Sequence, residues 1–471
     1  MDPPKEAKII SCKWVYRIKR NSDGSVEKFK ARLVVRGFTQ NHGIDYLETF
    51  SPVARLSTVT SLIAVAANEK MNIFQFDVCS AFLYGSVTEC IYMEQPLGFS
   101  DGSNKVCKLN HSLYGLKQSP RCWNITFTEA MLEFGFVSSE ADPCLFIKIF
   151  KDFKMYVCLY VDDGLLVCDS KSEAEKFLSQ LRLKFKITCK PANFYLGLEI
   201  KIENDSVTVC QSGYTRRILE RFRIANCKPV GSPMLKHSPS QNGLEPEHEE
   251  CVFPYREAVG ALMFLMLGSR PDLACAVGML SRHLENPTEE DVSRVKHVIR
   301  YLSGGVKSLI FRPGFRPGLL DLYSDSDSGG CFETGRSTTG VVSLYSGSSI
   351  SWFSKRQDVV ALSTTDAEVI AASEACREAV WLARLFNELT KLAAVPTLFV
   401  DNSAAVKLAH NPEYHKRTKH IAIKHFFVRE KVSEGAFVVK QISSSQQLAD
   451  MLTKSLAKPR IEFLCTAIGL V

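Results

Sequence analysis

The residues with the clearest chemical meaning are two adjacent carboxylates, Asp162 and Asp163, which lie between apolar runs at residues 155–159 and 164–168. Two strand-like runs joined by Asp-Asp-Gly predict a tight β-hairpin. Burying two carboxylates is costly unless they project from the turn and meet a cation. Mg²⁺ suits such a place, because it binds a few carboxylates together with substrate phosphates. The alternative is an ordinary exposed Asp-Gly turn, and these residues alone do not decide between the two.

A third carboxylate, Asp77, lies near the C-terminal end of a run of alternating polarity at residues 74–78, which predicts a strand. Two Mg²⁺ ions about 4 Å apart can activate a nucleophile and stabilise a leaving group in an in-line phosphoryl displacement. In such a centre we expect Asp77 and Asp162 to bridge the ions and Asp163 to assist. Nucleotidyl transfer needs little more from a protein than this clamp and good positioning.

A second set of acidic residues stands at predicted element ends in the C-terminal region. Asp325 and Asp401 close two strand-like runs, Glu368 lies in the first turn of a predicted helix, and Asp450 lies in a predicted helical segment. These four acids converge only if a sheet brings them together, and an RNase H-like fold does so to hold two Mg²⁺ for hydrolysis. Glu368 has a structural alternative, because Thr365 and Glu368 have the spacing of a capping box.

The composition of the chain limits which classes of protein it can belong to. The chain of 471 residues is 45% hydrophobic, which predicts several domains with large cores. Its net charge of +7 is uneven, with ten Lys/Arg against four Asp/Glu in residues 1–36 and seven against two in residues 405–431. Such basic runs suit a polyanion or are simply solvated. Neither a membrane-spanning run nor a signal peptide is predicted, and 16 cysteines without a C-x-x-C pair favour a reducing compartment.

The elements that must position these acids follow from apolar periodicity. Residues 1–204 read as an α+β pattern, residues 205–312 as mostly helical, and a Pro/Gly-rich stretch at 312–318 precedes another change of pattern. We predict strands at 12–18, 31–35, 73–78, 155–161, 319–323, 340–345, 350–354 and 397–400, with helices at 58–68, at 123–134 and from about Thr365.

Ordered motifs in the first half resemble the reverse transcriptases of copia-type LTR retrotransposons. FYLGLEI at 194–200 is similar to that family's primer-gripping hairpin, and KARLV at 30–34 to its fingers strand. The resemblance implies a right-hand polymerase of fingers, palm and thumb. The four motifs that occur in the family's order are DVCSAFLYG at 77–85, IYMEQP at 91–96, LYGLKQSPR at 113–121 and YVDD at 160–163.

The same resemblance implies roles for individual residues. Lys30 and Arg32 would meet the incoming triphosphate, although Arg32 could instead solvate an edge strand. Phe82 would block a ribose 2′-hydroxyl and so select deoxynucleotides, although by chemistry alone it is a core aromatic. Gly115 would let the backbone approach a nucleotide, or it is a turn glycine. The remaining implied residues are Gln118, Tyr160 and Gly197 as substrate contacts, and Val78 beside Asp77 as a metal ligand.

Motifs in the last third resemble the RNase H domain that follows reverse transcriptase in copia-type polyproteins. The resemblance favours Glu368 as a metal ligand together with Asp325, Asp401 and Asp450. We interpret Arg417, Lys419 and His420 as a basic surface for hybrid phosphates, the alternative being a solvated face. Polar flanks argue against an aspartic-protease reading of Asp-Ser-Gly at 327–329. The motifs are RSTTG at 336–340, ISW at 350–352, SKRQ at 354–357, ALSTT at 361–365, DNSA at 401–404 and RTKHI at 417–421.

These observations predict an α+β and α/β multidomain Pol fragment of the copia type. Residues 1–204 would form fingers and palm, 205–312 a thumb or connection, and 319–471 an RNase H-like domain. It would bind two Mg²⁺ per active site, with Mn²⁺ as an alternative. Its partners would be RNA template, DNA primer, RNA–DNA hybrid, dNTPs and other retroelement proteins, with no membrane. We expect an intracellular protein, in cytoplasmic virus-like particles and also in the nucleus.

Two other functions stay open. One is a catalytically impaired remnant or a domesticated nucleic-acid-binding protein, favoured by a nearly absent segment before the fingers and opposed by the seven acids. The other is a nuclease whose polymerase half only grips substrate. Departures from the family pattern, such as Asp327 with Ser328 and Val369 after Glu368, remove no expected metal ligand. They put more doubt on the nuclease than on the polymerase.

Overall fold

A computed structural model describes residues 1–5, 7–20, 25–203, 206–224, 227–234, 253–313, 318–390, 392–410 and 422–471. Within these ranges no helix is both long and apolar enough to cross a membrane, and every cysteine is a free thiol. The chain divides into two compact units. The first holds residues 1–54 and 74–191, and the second holds residues 55–73 and 192–471. The predicted boundary at 312–318 falls largely on residues 314–317, which lie outside the described residues.

Strands and helices alternate in the first part of the chain, as expected from the apolar periodicity. In chain order the elements are β1 Ile9–Ile10, β2 Cys12–Arg20, β3 Val26–Val35, α1 Leu56–Asn68, β4 Asn72–Val78, β5 Tyr92–Met93, β6 Cys107–Lys108, α2 Ser119–Glu133, β7 Val137–Ser138, β8 Leu145–Ile149, β9 Lys154–Tyr160, β10 Asp163–Cys168, α3 Lys171–Lys184 and β11 Ile187–Pro191. Helix α1 belongs to the second unit. The strands and helices predicted in this part are confirmed, with shifts of a few residues at their ends.

A six-stranded sheet in the order β11-β4-β10-β9-β8-β7 is the centre of the first unit. Helices α2 and α3 pack on it through a core that includes Phe76, Trp123, Phe127, Phe146 and Leu181. Strands β2 and β3 form a separate long antiparallel hairpin. The sheet order places β4 next to β10, so that the two strands carrying the predicted acids are neighbours.

The second unit contains the remaining elements. In chain order they are β12 Phe194–Tyr195, β13 Leu198–Glu203, β14 Ser206–Cys210, α4 Ser212–Arg221, α5 Tyr255–Gly268, α6 Ala274–Leu280, α7 Glu289–Leu302, β15 Leu309–Phe311, β16 Leu320–Ser326, β17 Thr338–Tyr345, β18 Ser348–Arg356, α8 Thr364–Leu389, β19 Thr397–Val400, α9 Ser403–His410, α10 Ala422–Ser433, β20 Val438–Gln441 and α11 Lys458–Ala467.

Two sheets organise this unit. The larger has the order β18-β17-β16-β19-β20, in which β16, β19 and β20 run parallel and β17 and β18 are antiparallel. The smaller has the order β12-β13-β14-β15, so the described residues of the region predicted as mostly helical form four helices and also strands β14 and β15. The four strands and the long helix predicted in the C-terminal part are confirmed, whereas β20 was not predicted. Because parallel β16 and β19 end at one edge, their C-terminal carboxylates meet there.

Two candidate metal centres

The hairpin that carries the paired aspartates turns one residue earlier than the sequence predicts. Its two-residue turn is Val161-Asp162, because Asp163 and Gly164 already belong to β10. Val161 has a φ of 59°, and such a backbone costs a β-branched residue about 1–3 kcal/mol. The indole Nε1 of Trp123 donates to the carbonyl oxygen of Val161 at 2.6 Å. Trp123 therefore holds the strained turn, a role that its sequence position did not indicate.

Asp77 lies beside this turn because β4 and β10 are neighbours. The amide of Val78 donates to the carbonyl oxygen of Asp162 at 2.9 Å, which ties the end of β4 to the turn. The side chain of Val78 is buried, so only its carbonyl oxygen could serve as a ligand. The sheet thus brings Asp77 close enough to Asp162 and Asp163 for their charges to interact. Among the described residues these three do not form a group with oxygens all within 4.8 Å of one another, so their role as one metal centre stays a prediction.

The three carboxylates of this first centre repel one another. Burial, followed by the charges of Asp162 and Asp77, raises the pKa of Asp163 to about 6. Burial and the charge of Asp77 also raise the pKa of Asp162, against the opposing charges of Arg32 and Lys30. A cation bound among these oxygens would relieve the repulsion.

Basic and aromatic side chains surround the first centre. Lys30 and Arg32 are two residues apart on β3 and so share one face of the β2–β3 hairpin. The guanidinium of Arg32 lies 5.5 Å from the ring centre of Tyr114, and the ring of Phe82 lies 5.1 Å from the same ring. Burial raises the pKa of Tyr114, and the charge of Asp162 adds to this. Tyr114 was not among the predicted contacts, and its place in the 113–121 motif was the only signal for it.

Gly115 and Gln118 contact protein groups. Gly115 has a φ of 97°, and a Cβ on it would lie 2.0 Å from the carbonyl oxygen of Val35, so the close approach that requires glycine is to β3. The Gln118 side chain is buried. It donates to the carbonyl oxygen of Asp45 and accepts from Gln40, both at 3.0 Å. Both residues therefore hold the 113–121 motif against neighbouring backbone segments.

Two further predicted contacts lie on hairpins. Tyr160 ends β9 and is 37% exposed. In the second unit, Gly197 follows Leu196 in the two-residue turn between β12 and β13, with φ values of 50° for Leu196 and 82° for Gly197. Positive φ at both positions is the signature of a type I′ turn. A Cβ on Gly197 would meet the ring of Phe264 at 2.6 Å, so this glycine also serves packing.

The second centre is a compact group of three acids. One carboxylate oxygen from each of Asp325, Glu368 and Asp401 lies within 4.8 Å of the others. Asp325 comes from β16, Asp401 follows β19, and Glu368 projects from the first turns of α8. Among the described residues this is the group whose spacing suits one ion.

Glu368 does not cap its helix. The N-cap of α8 is Ser363, whose hydroxyl accepts from the amide of Asp366 at 3.1 Å, so the capping-box reading of Thr365 and Glu368 is wrong. Instead Oε1 of Glu368 accepts from the amide of Ser326 at 3.1 Å, and its buried Oε2 has no hydrogen-bond partner in the part of the chain that the structure describes. Burial, then the charges of the two neighbouring aspartates, raises the pKa of Glu368 to about 8.

Asp450 lies at the edge of the second centre in two ion pairs. Its Oδ1 is 2.7 Å from Lys454 Nζ, and its Oδ2 is 2.9 Å from Arg460 Nη2. Lys454 Nζ is also 2.9 Å from Oδ1 of Asp325. Asp325 accepts a further hydrogen bond from the Thr453 hydroxyl. Burial nevertheless raises the pKa of Asp325 to about 6. Lys454 was not among the predicted site residues, although its i, i+4 spacing from Asp450 is a signal for pairing.

The remaining predictions for this unit concern residues 417–420 and Asp327. Arg417, Lys419 and His420 lie outside the described residues. Asp327 shapes the loop after β16, because it accepts from the amides of Gly330 at 3.1 Å and Thr338 at 2.8 Å. This contact gives Asp327 a structural role.

Both centres offer oxygen ligands only, which are the ligands of a hard divalent cation such as Mg²⁺. The unpartnered, buried Oε2 of Glu368 is the clearest fit, because such an atom is costly without a cation or a donor. The geometry therefore defines a class of protein. It is a mixed α/β protein of two units, each of which has carboxylates at the ends of its strands.

The family follows from comparison with known proteins. The family model described as "Reverse transcriptase (RNA-dependent DNA polymerase)" matches residues 1–236. The chain belongs to this family, as part of a copia-type retrotransposon Pol polyprotein.

Similar proteins span nearly the whole chain. It is 39% identical over 478 residues to the retrovirus-related Pol polyprotein from transposon TNT 1-94 of Nicotiana tabacum, covering 99% of this chain and 36% of that protein. It is 36% identical to the corresponding polyprotein from transposon RE1 of Arabidopsis thaliana, covering 99% and 32%. The chain thus spans about a third of these relatives. The chain is also 30% identical over 308 residues to the putative transposon Ty5-1 protein of Saccharomyces cerevisiae. That match covers 64% of this chain and 99% of that protein.

Two solved structures are distant matches. One is the N-terminal RNase H domain of a Mycobacterium tuberculosis protein, with 12% identity, a TM-score of 0.23 and coverage of 31% of this chain and 96% of that one. The other is a foamy viral protease-reverse transcriptase in complex with double-stranded DNA, with 11% identity, a TM-score of 0.20 and coverage of 92% and 65%. TM-scores this low do not establish a shared fold.

Proposed function

We propose that the chain is an RNA-directed DNA polymerase with a C-terminal ribonuclease H, both using two-Mg²⁺ phosphoryl transfer. Residues 1–204 would form fingers and palm, residues 205–312 the thumb or connection, and residues 319–471 the nuclease. Its substrates would be an RNA template, a DNA primer, dNTPs and the RNA–DNA hybrid that results. As part of a Pol polyprotein it would work with other retroelement proteins inside the cell.

The adjacency of Asp77 to the Val161-Asp162 turn carries the polymerase proposal. The hydrogen bond between Val78 and Asp162 holds the two strand ends in register, so Asp77 and Asp162 can share ions and Asp163 can assist. Bound Mg²⁺ would lower the pKa of the primer 3′-hydroxyl and neutralise charge on the triphosphate. Lys30 and Arg32 would orient the triphosphate oxygens, for which a guanidinium fork is well suited.

Aromatic residues beside Arg32 support selection of the sugar. Phe82 packs against Tyr114, and Tyr114 contacts Arg32. A triphosphate held by Arg32 would therefore place its sugar near these rings. Phe82 would leave no room for a 2′-hydroxyl, and Tyr160 beside Asp163 would support the primer end.

Primer extension tests this proposal. Asp162→Asn should lower Mg²⁺-dependent dNTP incorporation by at least 100-fold, because it removes a bridging charge, while hybrid cleavage persists. Asp152→Asn, in the exposed loop between β8 and β9, is the matched control and should retain activity. Full extension by the Asp162 variant would contradict the assignment.

The group of Asp325, Glu368 and Asp401 carries the nuclease proposal. These residues would hold the ions that activate water, with Asp450 completing the set. Glu368, fixed by the Ser326 amide, would keep one oxygen free for a ligand. Arg417, Lys419 and His420 would supply contacts to hybrid phosphates.

Cleavage of a labelled RNA–DNA hybrid tests the nuclease. Asp325→Asn should abolish cleavage and leave primer extension intact. Asp358→Asn is the control, because this aspartate is exposed and contacts only Lys355, at 3.5 Å, among the described residues. Cleavage without dNTP incorporation by the unaltered chain would favour a nuclease whose first unit only grips substrate, whereas the absence of both activities would favour a remnant.

A further inference from the structure

A cavity of ≈ 410 Å³ opens in the second unit between α6, α7 and residues 330–333 of the loop after β16. Its volume lies within the ~300–1,000 Å³ of small-molecule sites. Its floor is apolar and includes Met279, Leu280 and Val298. Phe332, which is 74% exposed, stands at the loop side. An apolar floor with an aromatic ring at the mouth suits a flat, largely apolar group.

The acids on the α7 wall are already paired. Arg294 Nη2 lies 2.5 Å from Glu290, and its Nη1 lies 3.4 Å from Asp291. Nδ1 of His283 is 3.6 Å from the same Asp291. Arg294 thus balances one of the two carboxylate charges on this wall, and His283 balances the other only when its ring is protonated. The other acid at the cavity, Glu333, is exposed on the loop.

Arg282 differs from Arg294. Its Nη2 donates to the hydroxyl of Thr338 at 3.2 Å, and within the described parts of the chain no carboxylate lies at ion-pair distance from it. A guanidinium has five N–H donors, so most of those on Arg282 remain for an oxyanion. Burial raises the pKa of Cys331 at the same corner, but hydrogen bonds from Thr334 and Arg356, and to a smaller extent the charge of Arg282, lower it overall.

We propose that this cavity binds one nucleotide unit, with the base between Phe332 and the apolar floor and the phosphate on Arg282. The guanidinium of Arg282, which has no carboxylate partner among the described residues, disfavours a neutral apolar ligand, and the apolar floor disfavours a bare phosphate. Arginine forks bind phosphate oxygens in pairs, and base–aromatic stacking is tolerant of base identity. The source of the unit is either a free mononucleotide or one nucleotide of a strand. The proposal does not rest on the catalytic assignments, because the cavity contains none of the seven acids.

The test uses the full chain in EDTA, which silences cation-dependent nucleotide binding. Isothermal titration calorimetry of the unaltered chain with AMP should show binding and give its affinity. Arg282→Ala should weaken AMP binding by about 10- to 100-fold, the worth of a charge-assisted pair of hydrogen bonds. Phe332→Ala, at an exposed residue, should weaken it by at least about fivefold. Arg300→Ala is the control, because Arg300 lies on α7, donates to the carbonyl oxygen of Lys228 and does not line the cavity.

The outcomes separate the possibilities. If Arg282→Ala weakens binding of a 5′-phosphorylated oligo(dA) more than it weakens binding of AMP, a strand is the source, and the reverse identifies a free nucleotide; both support the proposal. Inorganic phosphate that binds as tightly as AMP and loses as much affinity in Arg282→Ala would reduce the cavity to an anion site and overturn it. Absence of AMP binding, or affinity unchanged in both the Arg282 and Phe332 variants, would also overturn it. Loss of nucleotide binding here would leave the primer-extension and cleavage results unaffected.

Discussion

The ammonium group of Lys454 lies 2.9 Å from Oδ1 of Asp325, at the centre of the second acidic group. The same ammonium contacts Asp450 at 2.7 Å, so one lysine joins two of the four predicted ligands. Because Asp325 also faces Glu368 and Asp401, Lys454 offsets part of their shared charge. A divalent cation bound to this group would therefore act on the same carboxylate as Lys454.

Removing this lysine should strengthen cation binding. In Lys454→Gln the positive charge beside Asp325 is lost, and we expect Mg²⁺ to bind the second centre about fivefold more tightly, a change of ~1 kcal/mol for a half-exposed pair. Isothermal titration in an Asp162→Asn background measures this with less contribution from the first centre. Lys407→Gln, exposed on α9, is the control. Unchanged or weaker Mg²⁺ binding would show that Lys454 mainly orients Asp325 and does not compete with the cation for this carboxylate.

The stability of the cation-free chain should fall as pH rises. The pKa of Glu368 is raised from 4.5 to about 8, so the folded state binds this proton more tightly than the unfolded state does. The proton's stabilising effect is complete below pH 4.5 and is lost progressively up to about pH 8. In EDTA, the free energy of unfolding should fall between pH 4.5 and pH 8. We expect this fall to be smaller in Glu368→Gln than in the unaltered chain, by on the order of 1–3 kcal/mol. Urea unfolding at several pH values measures it, and an identical slope in the variant would contradict the raised pKa.

We expect the hydrogen bond from Trp123 to stabilise the Val161-Asp162 turn. Trp123→Phe keeps an aromatic ring in the core but removes the donor to Val161. We expect the free energy of unfolding to fall by about 1–3 kcal/mol, because a buried carbonyl loses its partner and volume is lost. Primer extension should fall further than this loss explains, since the turn carries Asp162. Extension per folded molecule equal to that of the unaltered chain would show that the turn holds its shape without this bond.

Gly115 should be far less tolerant than another glycine of similar backbone. Gly115→Ala places a Cβ 2.0 Å from the carbonyl oxygen of Val35 at a φ of 97°, whereas Gly102 has a φ of 78° and nothing within 4 Å of its Cβ position. We expect Gly102→Ala to cost about 1–2 kcal/mol from backbone strain alone, and Gly115→Ala at least twice that. Denaturant midpoints of the two variants give the comparison, and equal costs would mean that β3 moves away freely.

Phe82 should decide which sugar is accepted. Phe82→Val shortens the side chain beside Tyr114, and we expect use of ribonucleotides relative to deoxynucleotides to rise by about 10- to 200-fold, the usual worth of a steric contact of this size. Single-nucleotide incorporation with dNTP and rNTP gives the ratio. Leu83→Val, at an exposed neighbouring residue, is the control. An unchanged ratio would show that Phe82 only packs in the core and does not select the sugar.

Local pattern was sufficient for much of the fold. The alternation at residues 74–78 and the apolar runs around Asp162 predicted β4, β9 and β10, because strand periodicity is a property of neighbouring residues. The same reasoning placed Asp77 and Asp325 at strand ends. It failed for the turn at Val161, since a β-branched residue with positive φ contradicts local preference and is held by Trp123 from a distant helix.

The sequence by itself determined which residues could do chemistry: seven acids near element ends, motifs in a recognisable order and a basic β3. Only the tertiary structure decided how they combine. Sheet order placed β4 beside β10 and β16 beside β19, Ser363 took the cap that Thr365 and Glu368 were spaced to make, and Lys454 was inserted between Asp325 and Asp450. Each of these depends on contacts between residues far apart in the chain, for which local periodicity carries no information.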